Sequence, residues 1–135
     1  MASNARSLYI DASALVKLVV RERETDALTA FVAGADLVAS EIVAIEVPRA
    51  AHLSTRAPET IEHAERLLEH LHLLALDDEL RQAAARVGPP ELRTLDAIHL
   101  VSALRVAREV EALVAYDLRL GHAARAAGLR VDTPV

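Results

Sequence analysis

Two short apolar runs, Leu8-Tyr9-Ile10 and Ala112-Leu113-Val114-Ala115-Tyr116, lack the alternation of a half-exposed strand, and each stops at an aspartate, Asp11 and Asp117. Continuous apolar runs of this length suit strands buried on both faces, as in a parallel sheet covered by helices. The stretches between such runs carry helical periodicity, so the chain reads as α/β with a mainly parallel central sheet. Ligand sites of open α/β sheets form beyond the carboxyl ends of the strands, where both aspartates stand.

The pattern predicts a strand over Ser7 to Ile10, a helix through Leu15, Val16, Leu18 and Val19, and a second helix from Thr25 to Val32 ended by Gly34. A strand over Asp36 to Ala39 precedes the helix bearing Glu46, with Ser40 its expected N-cap and Pro48 expected to kink it or end it early. Pro58 opens a helix with Ile61, Ala64, Leu67, Leu68 and Leu71 on one face. A strand over His72 to Leu76 and an Ala-rich helix capped by Asp78 follow, and Gly88-Pro89-Pro90 breaks the chain. A long helix is expected from Thr94 to Arg108, a strand over Ala112 to Tyr116, a helix over Leu118 to Ala127 stopped by Gly128, and a last strand over Leu129 to Val131. At 135 residues, 53% of them hydrophobic, the chain is expected to form one domain, with residues 1–6 a flexible N-terminal extension.

Two further acids fall in helical stretches too apolar to be solvent faces: Glu46 between Ile42-Val43-Ala44-Ile45 and Val47, and Asp96 between Leu95 and Ala97-Ile98. Together with Asp11 and Asp117 they are expected to meet in one pocket. Carboxylates crowded in apolar surroundings repel one another and are poorly solvated, which calls for a hard divalent cation. Oxygen donors favour Mg²⁺ or Mn²⁺ over Zn²⁺, which takes His and Cys. Such an ion acidifies a bound water and stabilises charge at a scissile phosphate, so a hydrolysis leaving a 5′-phosphate and a 3′-hydroxyl is expected.

Each acid has a competing structural role. Asp11 and Asp117 stand where a helix N-cap belongs, and Glu46 and Asp96, inside helices, would otherwise be in buried salt bridges with Arg49 or Arg93. His99, three residues after Asp96, reads as a hydrogen-bonded core histidine, and Lys17 as a surface residue. The stretch Glu62-His63-Ala64-Glu65 through Glu69-His70 lacks the two-His spacing of a zinc helix and reads as a solvated face.

Composition narrows the partners. One Phe, two Tyr and no Trp provide little for base stacking, and the core must be aliphatic. The net charge of −5 argues against a broad nucleic-acid surface. Bound metal would offset part of it, however, and every cation but Lys17 is arginine, which grips phosphate bidentately, so a local Arg cluster permits an RNA substrate. The absence of Cys fits a reducing cytoplasm, and no run is long enough for a membrane span, so a soluble cytoplasmic protein is expected. A receiver-type signalling domain would share the alternation and acidic pocket but needs a late lysine, and no Lys follows Lys17.

YIDASALVKL from Tyr9 to Leu18, IEVPRA from Ile45 to Ala50, LRTLDAIHLVSAL from Leu92 to Leu104 and AYDLRLGHAARAAGL from Ala115 to Leu129 resemble, in order, the motifs of the PIN-domain family. Within it they look like the VapC-type toxins of bacterial type II toxin–antitoxin modules. The resemblance implies a three-layer α/β/α fold and a Mg²⁺- or Mn²⁺-dependent endoribonuclease that is usually dimeric. It implies Asp11, Glu46, Asp96 and Asp117 as catalytic, metal-binding acids, Ser13 as the small hydroxyl residue of the first motif, and Arg49 as a basic residue supporting substrate. Ala115 departs from the pattern, standing where many relatives carry Thr or Ser. The implied partners are RNA and a cognate antitoxin, a small DNA-binding protein whose C-terminal segment covers the acidic pocket. A non-catalytic PIN-fold domain that binds RNA or protein is the alternative.

Overall fold

The computed structural model describes residues 5–54 and 57–135. Its strands are β1 (Ser7–Ile10), β2 (Asp36–Ser40), β3 (His72–Leu74), β4 (Ala112–Val114) and β5 (Val131–Asp132). Its helices are α1 (Ala12–Val19), α2 (Thr25–Val32), α3 (Val43–Ser54), α4 (Pro58–Glu69), α5 (Asp78–Arg86), α6 (Thr94–Arg105) and α7 (Leu118–Ala126). All strand pairs are parallel, in the order β3-β2-β1-β4-β5. The order reverses beside β1: the chain first moves outward through β2 and β3, then crosses back through α5 and α6 to place β4 on the other side of β1. That reversal opens a crevice at the carboxyl ends of β1 and β4.

The pleat of β1 divides the core into two layers. Leu8 and Ile10 join Ala14, Leu15, Leu28, Val43, Val47, Ala51 and Ala64 on the side of α1 to α4. Tyr9 points the other way, into Leu100, Ala103, Leu113, Leu120 and Ala124 beneath α6 and α7. α6 is buried from Ala97 to Ala103 without a break, which explains why its sequence carries almost no polar face. Arg6, expected in the extension, is tied to the fold: its carbonyl accepts from Asp36 N at 2.7 Å and its guanidinium lies 5.0 Å from the Phe31 ring centre. Residues 1–4 of the expected extension lie outside the described residues. Among those described, no helix is long and apolar enough to cross a membrane.

Several boundaries differ from expectation. α3 continues through Pro48 to Ser54 instead of ending early. The carbonyl that loses its donor belongs to exposed Ala44, where water can serve. Ser40 completes β2 and its hydroxyl accepts from Ile42 N at 3.2 Å, shaping the turn before α3 rather than capping it. α5 is capped by Asp77, not Asp78: Asp77 Oδ1 accepts from Leu80 N at 2.8 Å, and Arg105 grips both Asp77 oxygens at 3.0 and 3.2 Å, tying α5 to α6. α6 stops at Arg105 rather than Arg108, β3 and β4 end at Leu74 and Val114, and the last strand is Val131–Asp132. Gly128, at φ 93, reverses the chain after α7 as expected of a residue free to enter the left-handed region.

Candidate active site

Asp11, Ser13, Glu46, Asp96, His99 and Asp117 line one cavity of about 490 Å³, with Arg93 and Thr94 at its edge. It lies at the reversal of strand order. Asp11 directly follows β1 and its N–H donates to Val114 O of β4 at 3.2 Å, so the backbone ladder itself sets the distance between the two strand ends.

Every one of the acids occupies the first turn or N-cap of a different helix. Asp11 caps α1 through Ala14 N at 3.1 Å, and Asp117 caps α7 through Leu120 N at 3.0 Å. Asp96 is the third residue of α6 and accepts from Arg93 N at 3.3 Å, while Glu46 lies in the first turn of α3. Asp96, expected in the body of its helix, thus takes part in its N-terminal cap, because α6 starts only two residues before it. Helix N-termini carry partial positive charge, so four such ends aimed at one cleft offset the mutual repulsion of the carboxylates. Capping and ligation do not compete, since a carboxylate offers about four lone-pair positions and a cap uses one.

Asp11 is the most deeply placed, with 4% of its surface exposed. Burial raises its carboxyl from 3.8 to about 6; His99, the Ser13 hydroxyl and the Ala14 N–H oppose the rise, and the Glu46 charge adds to it. Ser13 Oγ donates to the Asp11 carboxylate, 2.7 and 2.9 Å from its two oxygens, and accepts from Tyr116 N at 2.9 Å, locking the start of α1 to the segment after β4.

Glu46 meets neither Arg49 nor Arg93 in a salt bridge; its Oε1 is 2.8 Å from His99 Nε2. His99 is 3% exposed and its Nδ1 lies 2.8 Å from the Tyr9 hydroxyl, which also accepts from Ser40 N at 3.1 Å. The core reading of His99 thus holds, but its neighbour is a site residue. With both ring nitrogens committed, His99 is not free to serve as a metal ligand. Arg49 is exposed on α3 and is absent from the cleft lining, where Arg93 stands instead. Lys17, expected at the surface, is only 14% exposed in its side chain, bonds Glu22 and Glu24 at 2.6 and 2.7 Å, and lies 4.8 Å from the Tyr116 ring centre. Glu62, His63, Glu65, Glu69 and His70 stay exposed on α4. Ala115 is buried in the core layer beneath α6 and α7 and presents no polar group to the cleft.

The donor chemistry fits a hard divalent cation: carboxylate oxygens only, no thiolate, and the one cleft imidazole already engaged. Asp11 fits it further, since a buried carboxyl held near 6 gains from either a proton or a cation. As the side chains stand, no three of the Asp, Glu and His groups among the described residues converge closely enough to hold an ion.

Missed by sequence reasoning were Arg93 at the rim and the line from Tyr9 through His99 to Glu46. The helical offset of His99 from Asp96 hinted that it faces the site, whereas nothing local marks Tyr9 as its partner.

A model of the PIN domain matches residues 8–126. Ribonuclease VapC46 of Mycobacterium tuberculosis is 40% identical over 129 residues, 95% of this chain and 98% of that protein. Ribonuclease VapC47 of the same species is 36% identical over 132 residues, 94% of this chain and 96% of that one. Among solved structures, the sarcin–ricin loop cleaving toxin VapC20 of M. tuberculosis superposes with a TM-score of 0.72 at 16% identity, covering 95% of this chain and 99% of its own. VapBC2 from Rickettsia felis, solved bound to a DNA fragment from its promoter, superposes with a TM-score of 0.65 at 11% identity, covering 96% and 99%.

Proposed function

The chain belongs to the PIN domain family, and from that premise we propose how its acidic cleft serves as a ribonuclease centre. The protein is an endoribonuclease and the toxin of a toxin–antitoxin pair, a class of nuclease that generally depends on metal. Asp11, Glu46, Asp96 and Asp117 are its catalytic and metal-holding acids, and Mg²⁺ or Mn²⁺ is the ion. The observation that carries this reading is that acids from four separated segments sit at four helix N-termini around one cleft at the strand-order reversal.

A bound Mg²⁺ or Mn²⁺ supplies Lewis acidity, making water more acidic and offsetting charge on the scissile phosphate. The protein's own groups do the rest. Ser13 fixes the rotamer of Asp11 through its bond to that carboxylate. Asp96 and Asp117 each hold one oxygen on a backbone N–H, which leaves the other for the ion. Arg93 at the rim offers a guanidinium to an RNA phosphate, and Arg49, exposed on α3, supports the strand farther out.

The partners are RNA and a cognate antitoxin. Its C-terminal segment covers the cleft, with a basic side chain directed toward Asp11, Asp96 and Asp117. In support, the exposed side chains Ile45, Leu95 and Leu118 each adjoin a cleft acid, and an apolar groove lined by Leu76, Val87, Pro90 and Leu92 shares Arg93 and Thr94 with the cleft. The protein works as a homodimer.

Purified protein should cut RNA only with added metal, and Asp96→Asn should abolish cutting while leaving the protein folded. Melting with and without Mn²⁺ checks ligation: equal gains in wild type and variant would remove Asp96 from the metal shell. A wild type that cuts no RNA with Mn²⁺ would favour the non-catalytic PIN alternative.

A further inference from the structure

The buried line Ser40–Tyr9–His99–Glu46 joins β2, β1, α6 and α3, and its contacts span long separations in the chain. Donor accounting fixes the end of the line at Glu46. A carboxylate only accepts, so His99 Nε2 must carry the hydrogen toward Glu46 Oε1. The Tyr9 oxygen accepts from Ser40 N at 3.1 Å and lies 2.8 Å from His99 Nδ1.

We propose that Tyr9 and His99 are positioning residues that hold one oxygen of Glu46 so that its other oxygen is presented to the ion; the proposal rests on the metal-dependent nuclease reading. Glu46 needs such a device more than the other acids. Asp11, Asp96 and Asp117 are each held by a backbone N–H, whereas among the described residues no backbone bond to the Glu46 carboxylate stands beside its bond to His99. A glutamate also has one more rotatable bond than an aspartate, so its carboxylate loses more freedom on binding unless it is held beforehand. The ring of His99 is itself fixed, edge-on to Tyr9 at 76° with centroids 5.9 Å apart, and 3% of the residue is exposed. Partners of this kind typically contribute roughly 10- to 100-fold to metal affinity or activity.

The test compares wild type with Tyr9→Phe, His99→Leu and His99→Gln. Tyr9→Phe removes only the hydroxyl, His99→Leu removes the donor to Glu46, and His99→Gln restores an N–H near the position of Nε2. Melting temperature is followed against Mn²⁺ concentration without RNA, and cleavage gives kcat and KM at several Mn²⁺ concentrations. Tyr9→Phe and His99→Leu should raise the half-stabilising Mn²⁺ concentration about 10-fold or more. They should lower kcat at subsaturating Mn²⁺ with KM for RNA unchanged, and His99→Gln should recover much of the loss. A purely structural line would lower the melting temperature of the metal-free protein in each variant while leaving the Mn²⁺ midpoint at its wild-type value, and that result overturns the proposal with the nuclease reading intact. A wild type that Mn²⁺ does not stabilise overturns both.

Discussion

Replacing Asp11 with Asn should stabilise the metal-free protein while removing its response to metal. A carboxyl whose folded value lies above its unfolded one binds its proton more tightly when folded. Its contribution to stability is therefore complete below 3.8 and is lost as pH rises through about 6. The displacement of about 2 units corresponds to a deficit on the order of 3 kcal/mol in the ionised, metal-free protein at pH 7.5. Asp11 is 4% exposed, so solvent screens little of this. Asn keeps an oxygen for Ala14 N and an amide N–H for Ser13 Oγ but carries no charge to desolvate. Asp11→Asn should then melt roughly 10 °C above wild type at pH 7.5 without metal, and the gap should close toward pH 4. Saturating Mn²⁺ should reverse the order, since an ion at about 1,000 times its Kd adds about 4.1 kcal/mol to a protein that binds it, more than the deficit. Differential scanning calorimetry from pH 4 to 7.5, with chelator or with Mn²⁺, measures both arms. Parallel pH profiles for wild type and variant, or a variant less stable at pH 7.5 in chelator, would refute the account of Asp11 as a carboxyl strained by burial.

Arg93→Ala should raise KM for RNA several-fold and weaken the salt dependence of binding, while the Mn²⁺ stabilisation of the free protein stays unchanged; a fall in kcat alone would argue against a phosphate contact. Substituting deoxyribose at the cut should slow cleavage only modestly, because attack by water does not use the 2′-oxygen, and an initial 2′,3′-cyclic phosphate product would refute this. Expression of the chain alone should arrest growth, with Asp11→Ala or coexpression of the cognate antitoxin relieving the arrest. Harmless induction of soluble wild type would contradict the toxin assignment.

The sequence by itself determined the α/β class and the candidate acids. Leu8-Tyr9-Ile10 is apolar throughout because β1 has neighbours on both edges and helices on both faces, and that leaves a mark on consecutive residues. Glu46 and Asp96 stood out for an equally local reason, as single charges in apolar stretches. Element ends were less legible. A helix begins where its first N–H groups find acceptors, and Asp77 outdid Asp78 because Arg105 of α6 holds it in place, a contact that adjacent residues do not encode. The tertiary structure decided the rest. Only the order β3-β2-β1-β4-β5 sets the ends of β1 and β4 side by side, and only that packing turns the N-termini of α1, α3, α6 and α7 toward one cleft. The same packing made His99 a partner of Glu46. Tyr9 is 90 positions from His99, and His99 is 53 from Glu46, so their bonds exist because sheet and helix bury them together, where water cannot satisfy an unpaired polar group.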